Sequence, residues 1–485
     1  MKIANFLSKY KIQTPIWIAI IPFVVLITTL TLVIKCFGAD AIMGGSQIAL
    51  LFAASVAAAL AIGLCGCKWS TLEDAIVENI RTSASAIIIL LLIGAISGTW
   101  MLSGVVPSLI CYGLEVIHPK AFLGIACIIC ALVSIVTGSS WTTIATIGVA
   151  LMGIGQAMGF SEGWIAGAII SGAYFGDKVS ALSDTTVLAS AASKVPLFVH
   201  IKYMMITTIP SFIIALVVFF GISIFNTPQS AAQIEHISQT LHATFNISPW
   251  LLLVPLVTAL LILKKLPALI TLFAATVVAC VAMLIFQPGI VDQIGGEGSL
   301  GAFKGLMTAC SSTTSIQTGD TMLNELVATR GMGGMMSTIW LILCAMCFGG
   351  IMAGSGMLAA VTRLFMNFAK RTISIVTSTI ATGIFCNLTT ADQYISIIIT
   401  GNTFSELYRK RGLEGRLLSR SVEDSATVTS VLIPWNSCGM TQSTVLGVAT
   451  VTYLPYCLFN LISPMLSIVV AAIGYKIFKT EDTNE

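Results

Sequence analysis

The sequence predicts an all-α polytopic membrane protein. Three observations predict it: too little charge for a soluble surface, apolar runs of membrane length along the whole chain, and a one-sided distribution of Lys and Arg. Of the 485 residues, 56% are hydrophobic and 9% charged, against roughly 25% charge in an average soluble domain. A globular protein of this size needs charge to stay dissolved, so most of the outer surface faces lipid. That excludes an ordinary soluble enzyme. A net charge of +3, with no basic run denser than Arg409 to Arg411, sets a nucleic-acid partner aside. Most of the thirteen cysteines, such as Cys127, Cys130, Cys344 and Cys347, lie inside apolar runs. There a thiol packs as a small hydrophobe, and with no histidine beside them the two CxxC spacings read as packing.

Taken in order, the polar segment 1–15 carries lysines but is followed by no small-residue cleavage site, so the first apolar run is a retained span. Full spans are expected at 16–36, 47–66, 84–106, 201–225, 249–263, 266–286, 337–362 and 447–477, each near the roughly 20 residues that cross about 30 Å of hydrocarbon. Residues 121–158 and 372–407 are apolar arms around helix-breaking polar centres, TGSSWTT from Thr137 and CNLTTADQ from Cys386, and read as hairpins. Residues 164–190 and 420–440 carry GDKVSALSDTT from Gly176 and EDSATVTSVLIPWNS from Glu423 inside apolar frames, and read as broken helices.

Counting from a cytoplasmic N terminus, with each hairpin returning to its own side, places 20 of the 24 basic residues inside. Only Lys35, Lys120, Lys304 and Arg330 stay outside, as the positive-inside rule requires. Both termini are then cytoplasmic, in the cell (inner) membrane. Three spans, a hairpin, a broken helix and a final span occur over 16–225 and again, with opposite orientation, over 249–477. An extracytoplasmic linker, 226–248, joins the repeats, and 478–485 forms a cytoplasmic tail. Corresponding features fall 249 positions apart for Gly138 and Asn387, and 247 apart for Asp177 and Asp424. Inverted repeats with two oppositely oriented hairpins and two broken helices point to a secondary transporter whose site lies between the halves. GxxxG spacings at Gly94 to Gly98 and Gly350 to Gly354 read as close helix packing.

Unpaired backbone at a break is intolerable in lipid, so the four breaks are expected to meet at one cavity. They are rich in oxygen donors: Ser139, Ser140 and Thr185 in the first half, and Asn387, Thr389, Thr390, Thr427, Thr429 and Asn436 in the second. Such hard ligands suit Na⁺ or H⁺ rather than a soft metal. Asp392 has no basic residue within fifteen positions and reads as an intramembrane site acid. Asp184 has no basic neighbour either, and together with Asp392 it is the expected Na⁺ ligand. Asp177 reads equally as a site acid and as the partner of the adjacent Lys178. Glu423 and Asp424 stand three and four residues after Arg420. That spacing suits a structural ion pair for Glu423, while Asp424 is expected deeper. The four histidines, His118, His200, His236 and His242, fall at loops or span ends, which leaves proton coupling to the carboxylates. No GxxxxGK[ST] loop is present, so an ion gradient is the expected driving force.

At these residues the chain resembles the NhaC-type sodium/proton antiporter family, which includes a malate/lactate-type exchanger. The resemblance runs through TGSSWTTIATIGVALMGIG (137–155), ISGAYFGDKVSALSDTT (170–186), ADQYISIIITGNTFSELYRKRGL (391–413) and SRSVEDSATVTSVLIPWNSCG (419–439). It implies Na⁺-linked transport. The family string has a proline where this chain has Ala181 and an asparagine where it has Val187, which bears on the transported species more than on the fold. The leading expectation is Na⁺/H⁺ antiport, by competition of the two ions for buried carboxylates. The alternative is Na⁺- or H⁺-coupled exchange or symport of a small organic anion or amino acid. No cofactor is expected. The partners are lipid, Na⁺, H⁺ and, in the alternative, the organic anion; a homodimer is compatible with the sequence.

Overall fold

The computed structural model describes residues 14–37, 44–225, 231–264, 266–320, 323–324, 327–369 and 371–478. All but the first residue of the expected tail 478–485, nearly all of the N-terminal segment and the first five linker residues lie outside them. Among the described residues the fold is helical throughout, apart from one bridge between Thr314 and Thr329. Eight helices are long and apolar enough to cross a membrane, or ten if two bent pairs each count as one span. Large apolar side chains such as Trp17, Val24, Phe52, Val217, Phe225 and Phe273 stand exposed on these helices, as a surface against lipid demands.

Several expected spans coincide with helices: Ile16–Phe37, Gly45–Cys65, Leu197–Phe225 and Ala268–Phe286. Others differ for physical reasons. The third helix is Trp69–Leu102, beginning well before residue 84. Its first turns carry Glu73, Glu78 and Arg81, good helix formers that a hydropathy reading leaves in the loop. It ends at Ser103 and Gly104, whose φ of 82° is left-handed. The expected span 337–362 breaks the same way, with Met336–Gly354 ending at Ser355 and Gly356, φ 75°. The final span bends by 55° between Thr450–Tyr456 and Leu458–Ile473, where Pro455 cannot continue a helical hydrogen-bond ladder. The expected linker is largely a helix, Ala231–Thr244, with Ile237 and Leu241 buried beneath it.

The two hairpins and two broken helices form where the polar strings predict them. Phe122–Thr137 ends at Gly138 (φ 67°), and Ser139 caps the next helical run by accepting from the Thr142 amide at 3.2 Å. Thr372–Thr390 ends at Ala391 (φ 56°), and Asp392 caps Gln393–Lys410 by accepting from the Ile395 amide at 2.9 Å. Glu162–Val179 breaks before Ser183 caps Asp184–Ala192. Gly415–Val422 passes through a wide turn, Glu423–Thr427, before Asn436 caps Ser437–Leu446. The caps Ser139 and Asp392 are 253 positions apart, and so are Ser183 and Asn436.

Small residues let the backbones approach, as close packing in lipid requires. Gly172 and Gly176 lie against the carbonyls of Cys127 and Ala131, and Ser134 Oγ donates to the Ala173 carbonyl at 2.6 Å. Gly350 and Gly354 lie against Ile76 and Ala75 of the long third helix. A side chain at Gly172 meets backbone that cannot move aside. We expect Gly172→Val to destabilise the protein by about 1–3 kcal/mol through overpacking. Gly63→Ala, where nothing lies within 4 Å, should not destabilise it. Thermal unfolding of both variants in detergent checks this; equal midpoints would contradict it.

Candidate ion site

The breaks converge on a cavity of about 660 Å³. Its wall takes Thr137 to Thr142 from the first hairpin tip, Asp177 and Leu182 to Thr185 from the first broken helix, and Asp392 to Tyr394 from the second hairpin tip. Ser437 comes from the second broken helix, Thr82, Ser83 and Ser85 from the third helix, and Leu266 to Ala268 with Thr271 from the start of Ala268–Phe286. Five helical segments begin at this wall, at Ser140, Asp184, Ala268, Gln393 and Ser437. One ends there, at Thr137. Helix starts present unpaired N–H groups and helix ends unpaired carbonyls, so the wall offers both donors and acceptors.

Among the described residues three carboxylates face the cavity, Asp177, Asp184 and Asp392, and no Lys, Arg or His lines it. Asp177 is buried, and its Oδ2 accepts from Ser140 Oγ at 2.6 Å. The break after Val179 puts Asp177 and Asp184 on separate segments. Asp184 is exposed at the rim together with Leu182, Ser85, Tyr394 and Leu266. Asp392 is buried, and besides capping its helix it accepts from Ser83 Oγ at 3.3 Å. Ser83, at the edge of the sequence-assigned span, was invisible as a site residue because its partner lies 309 positions away. Thr185 bonds to Ser183 at 2.9 Å. Among the described residues no three His, Cys, Asp or Glu side chains converge as a metal-holding group. A cation here would therefore draw on hydroxyls and carbonyls beside the acids.

The remaining sequence candidates do not line the cavity. Asn387 Nδ2 donates to the Ala426 carbonyl at 2.7 Å and to Thr429 at 3.1 Å, and Asn436 Nδ2 donates to the Asn387 carbonyl at 3.1 Å. These three tie the second hairpin to the second broken helix. Thr389 bonds back to the Phe385 carbonyl in its own helix, and Thr390 accepts from the Asp392 amide while contacting Ser396. The Thr427 hydroxyl is buried without a hydrogen-bond partner within bonding distance.

Around Asp424 stand two cations, Lys178 and Arg420, both fully buried. Lys178 is ion-paired with Asp424, not with the adjacent Asp177. Thr207 donates to Asp424 at 2.9 Å and Ser463 at 2.8 Å, and Arg420 Nε stands 4.0 Å away. Glu423, expected to pair with Arg420, is fully buried with neither oxygen hydrogen-bonded within bonding distance. His200, expected at a span end, is indeed there but buried, with Nδ1 2.8 Å from Ser419 Oγ. Two of the twenty residues counted as cytoplasmic charge therefore mark the protein interior rather than a membrane face.

A sequence model of the Na⁺/H⁺ antiporter family matches residues 172–475. The chain is 37% identical over 407 residues to the Na⁺/H⁺ antiporter NhaC of Bacillus subtilis (strain 168), covering 84% of this chain and 87% of that protein. It is 33% identical over 438 residues to the malate-2H⁺/Na⁺-lactate antiporter of the same organism, covering 90% and 91% of the two chains. It is 34% identical over 467 residues to the arginine/ornithine antiporter ArcD of Halobacterium salinarum, covering 95% and 92%. With a family match over more than half its length and similarity to these relatives across most of it, the chain belongs to the Na⁺/H⁺ antiporter family.

Proposed function

We propose that the protein is a secondary active transporter that exchanges Na⁺ for H⁺ at the cavity, with Asp177 and Asp392 as the carboxylates that hold the exchanging ion. The observation that carries this reading is the cavity wall itself: three acids, several hydroxyls and, among the described residues, no basic one, at the point where interrupted helices meet. Both Asp177 and Asp392 are buried, and a carboxylate out of water needs a cation beside it to stay charged. Na⁺ and H⁺ both satisfy that need, and the two compete for one place. Exchange follows when the site faces each side of the membrane in turn.

The cavity rim at Leu182 and Leu266 adjoins segments that carry Lys194, Lys202 and Lys264. On the positive-inside rule we place it on the cytoplasmic side, with both termini there. The paired caps 253 positions apart support two inverted repeats as the moving halves. In this scheme the repeats are 16–225 and 249–477.

A second reading has its own support. The malate-2H⁺/Na⁺-lactate antiporter is similar over nine-tenths of this chain, and about 660 Å³ exceeds what a bare cation fills. The helix N-termini on the wall could hold the carboxylate of a small organic anion. In proteoliposomes, the Na⁺/H⁺ reading expects an Na⁺-driven pH change with no organic solute added. Strict dependence on malate, lactate or an amino acid would establish the second reading instead.

For the site, Asp177→Asn and Asp392→Asn keep the shape and, at Asp392, a good helix cap, while removing the charge. Each is expected to weaken apparent Na⁺ affinity by roughly 10- to 100-fold, the scale of a lost charge-assisted interaction of about 1.5–3 kcal/mol. Asp184→Asn, at the exposed rim, should change it only a few-fold, since a solvated charge contributes about 1 kcal/mol or less. Wild-type affinity in both buried-site variants would move the ion site elsewhere.

A further inference from the structure

Behind the cavity wall lies a group of side chains that the exchange scheme does not use. Asp424 receives hydroxyl donors from Thr207, at 2.9 and 3.2 Å to its two oxygens, and from Ser463 at 2.8 Å. Thr207 belongs to Leu197–Phe225 and Ser463 to Leu458–Ile473, so three separate elements build the cage. Its occupant is the ammonium of Lys178, reaching in from a fourth element, Glu162–Val179. Lys178 Nζ is ion-paired with Asp424, lies 3.0 Å from Ser463 Oγ and stands 5.7 Å from the centre of the Phe459 ring. Every one of these residues is fully buried.

A carboxylate, two hydroxyl oxygens and an aromatic face make a built receptor for a monovalent cation. We propose that this cage is a second cation site whose occupant is supplied by the chain itself. The tethered ammonium of Lys178 stands where a second Na⁺ would otherwise bind, and so fixes the number of Na⁺ ions that the protein takes up. Lys178 is thus a stoichiometry-determining residue, although it does not line the cavity. The choice of Na⁺ as the ion rests on the exchange reading above; the cage geometry does not.

The test uses purified full-length protein in detergent, with NaCl or choline chloride and no other ligand. Lys178→Met keeps most of the apolar stem and removes the ammonium. Bound ²²Na⁺ per protein should rise by one relative to wild type. The variant should also unfold at a lower temperature in choline than in NaCl by a wider margin than wild type does. Lys178→Met/Asp424→Asn removes the acid as well, and should return both measurements to the wild-type pattern. An unchanged Na⁺ count in folded Lys178→Met overturns the proposal; Arg420, 4.0 Å from Asp424, would then have satisfied the acid. Failure to recover Lys178→Met even in NaCl, when the double variant is recovered, also overturns it. Loss of Na⁺ binding by wild type would count against the cavity reading alone, since the cage is judged by the difference between variant and wild type.

Discussion

The constraint on which the structure depends is that backbone polar groups cannot be left unpaired in hydrocarbon, where each costs several kcal/mol. Four helical segments of this chain stop in mid-protein and restart. Each restart is capped by a side-chain oxygen, from Ser139, Ser183, Asp392 or Asn436. Capping one amide satisfies only part of a helix terminus, so the breaks must also be shielded from lipid. Gathering them around one cavity achieves this, and it puts oxygen donors and acids in a water-accessible pocket. The cavity is thus a consequence of where the helices are allowed to break.

A second interaction holds the halves in register. The Lys178 and Asp424 pair joins the first broken helix to the second, both side chains fully buried. Removing one member of such a pair strands a charge and costs about 3–5 kcal/mol. Thr207 and Ser463 complete the environment of Asp424. The charge that a transporter must move is therefore kept apart from the charge that holds it together. Asp177, one residue before Lys178, faces the cavity and bonds to Ser140, while its neighbour faces the interior. Successive residues on a helix point about 100° apart, which is enough to turn one acid toward the cavity and the next residue, a cation, away from it.

The breaks themselves were legible, because a polar string between two apolar arms has few other ways to exist in a membrane. Gly138 and the strings around Ser139, Asp392, Ser183 and Asn436 fell where the sequence placed them. The start of the long third helix was not legible, because its first turns are charged and hydropathy reads them as loop. That error hid Ser83, a cavity residue.

By itself the sequence determined the membrane environment, the approximate spans, the positions of the breaks and the kinds of atom that line them. These follow from local composition and from the rule that lipid tolerates only paired backbone. The tertiary structure alone decided which acids face the cavity and which cation meets which acid. Lys178 chooses Asp424, 246 positions away, over the adjacent Asp177, and Arg420 approaches Asp424 rather than Glu423. The physical reason is that a partner is chosen by the rotation and contact of packed helices. That rotation is fixed by glycine contacts such as Gly172 on Cys127, between segments that no local pattern relates.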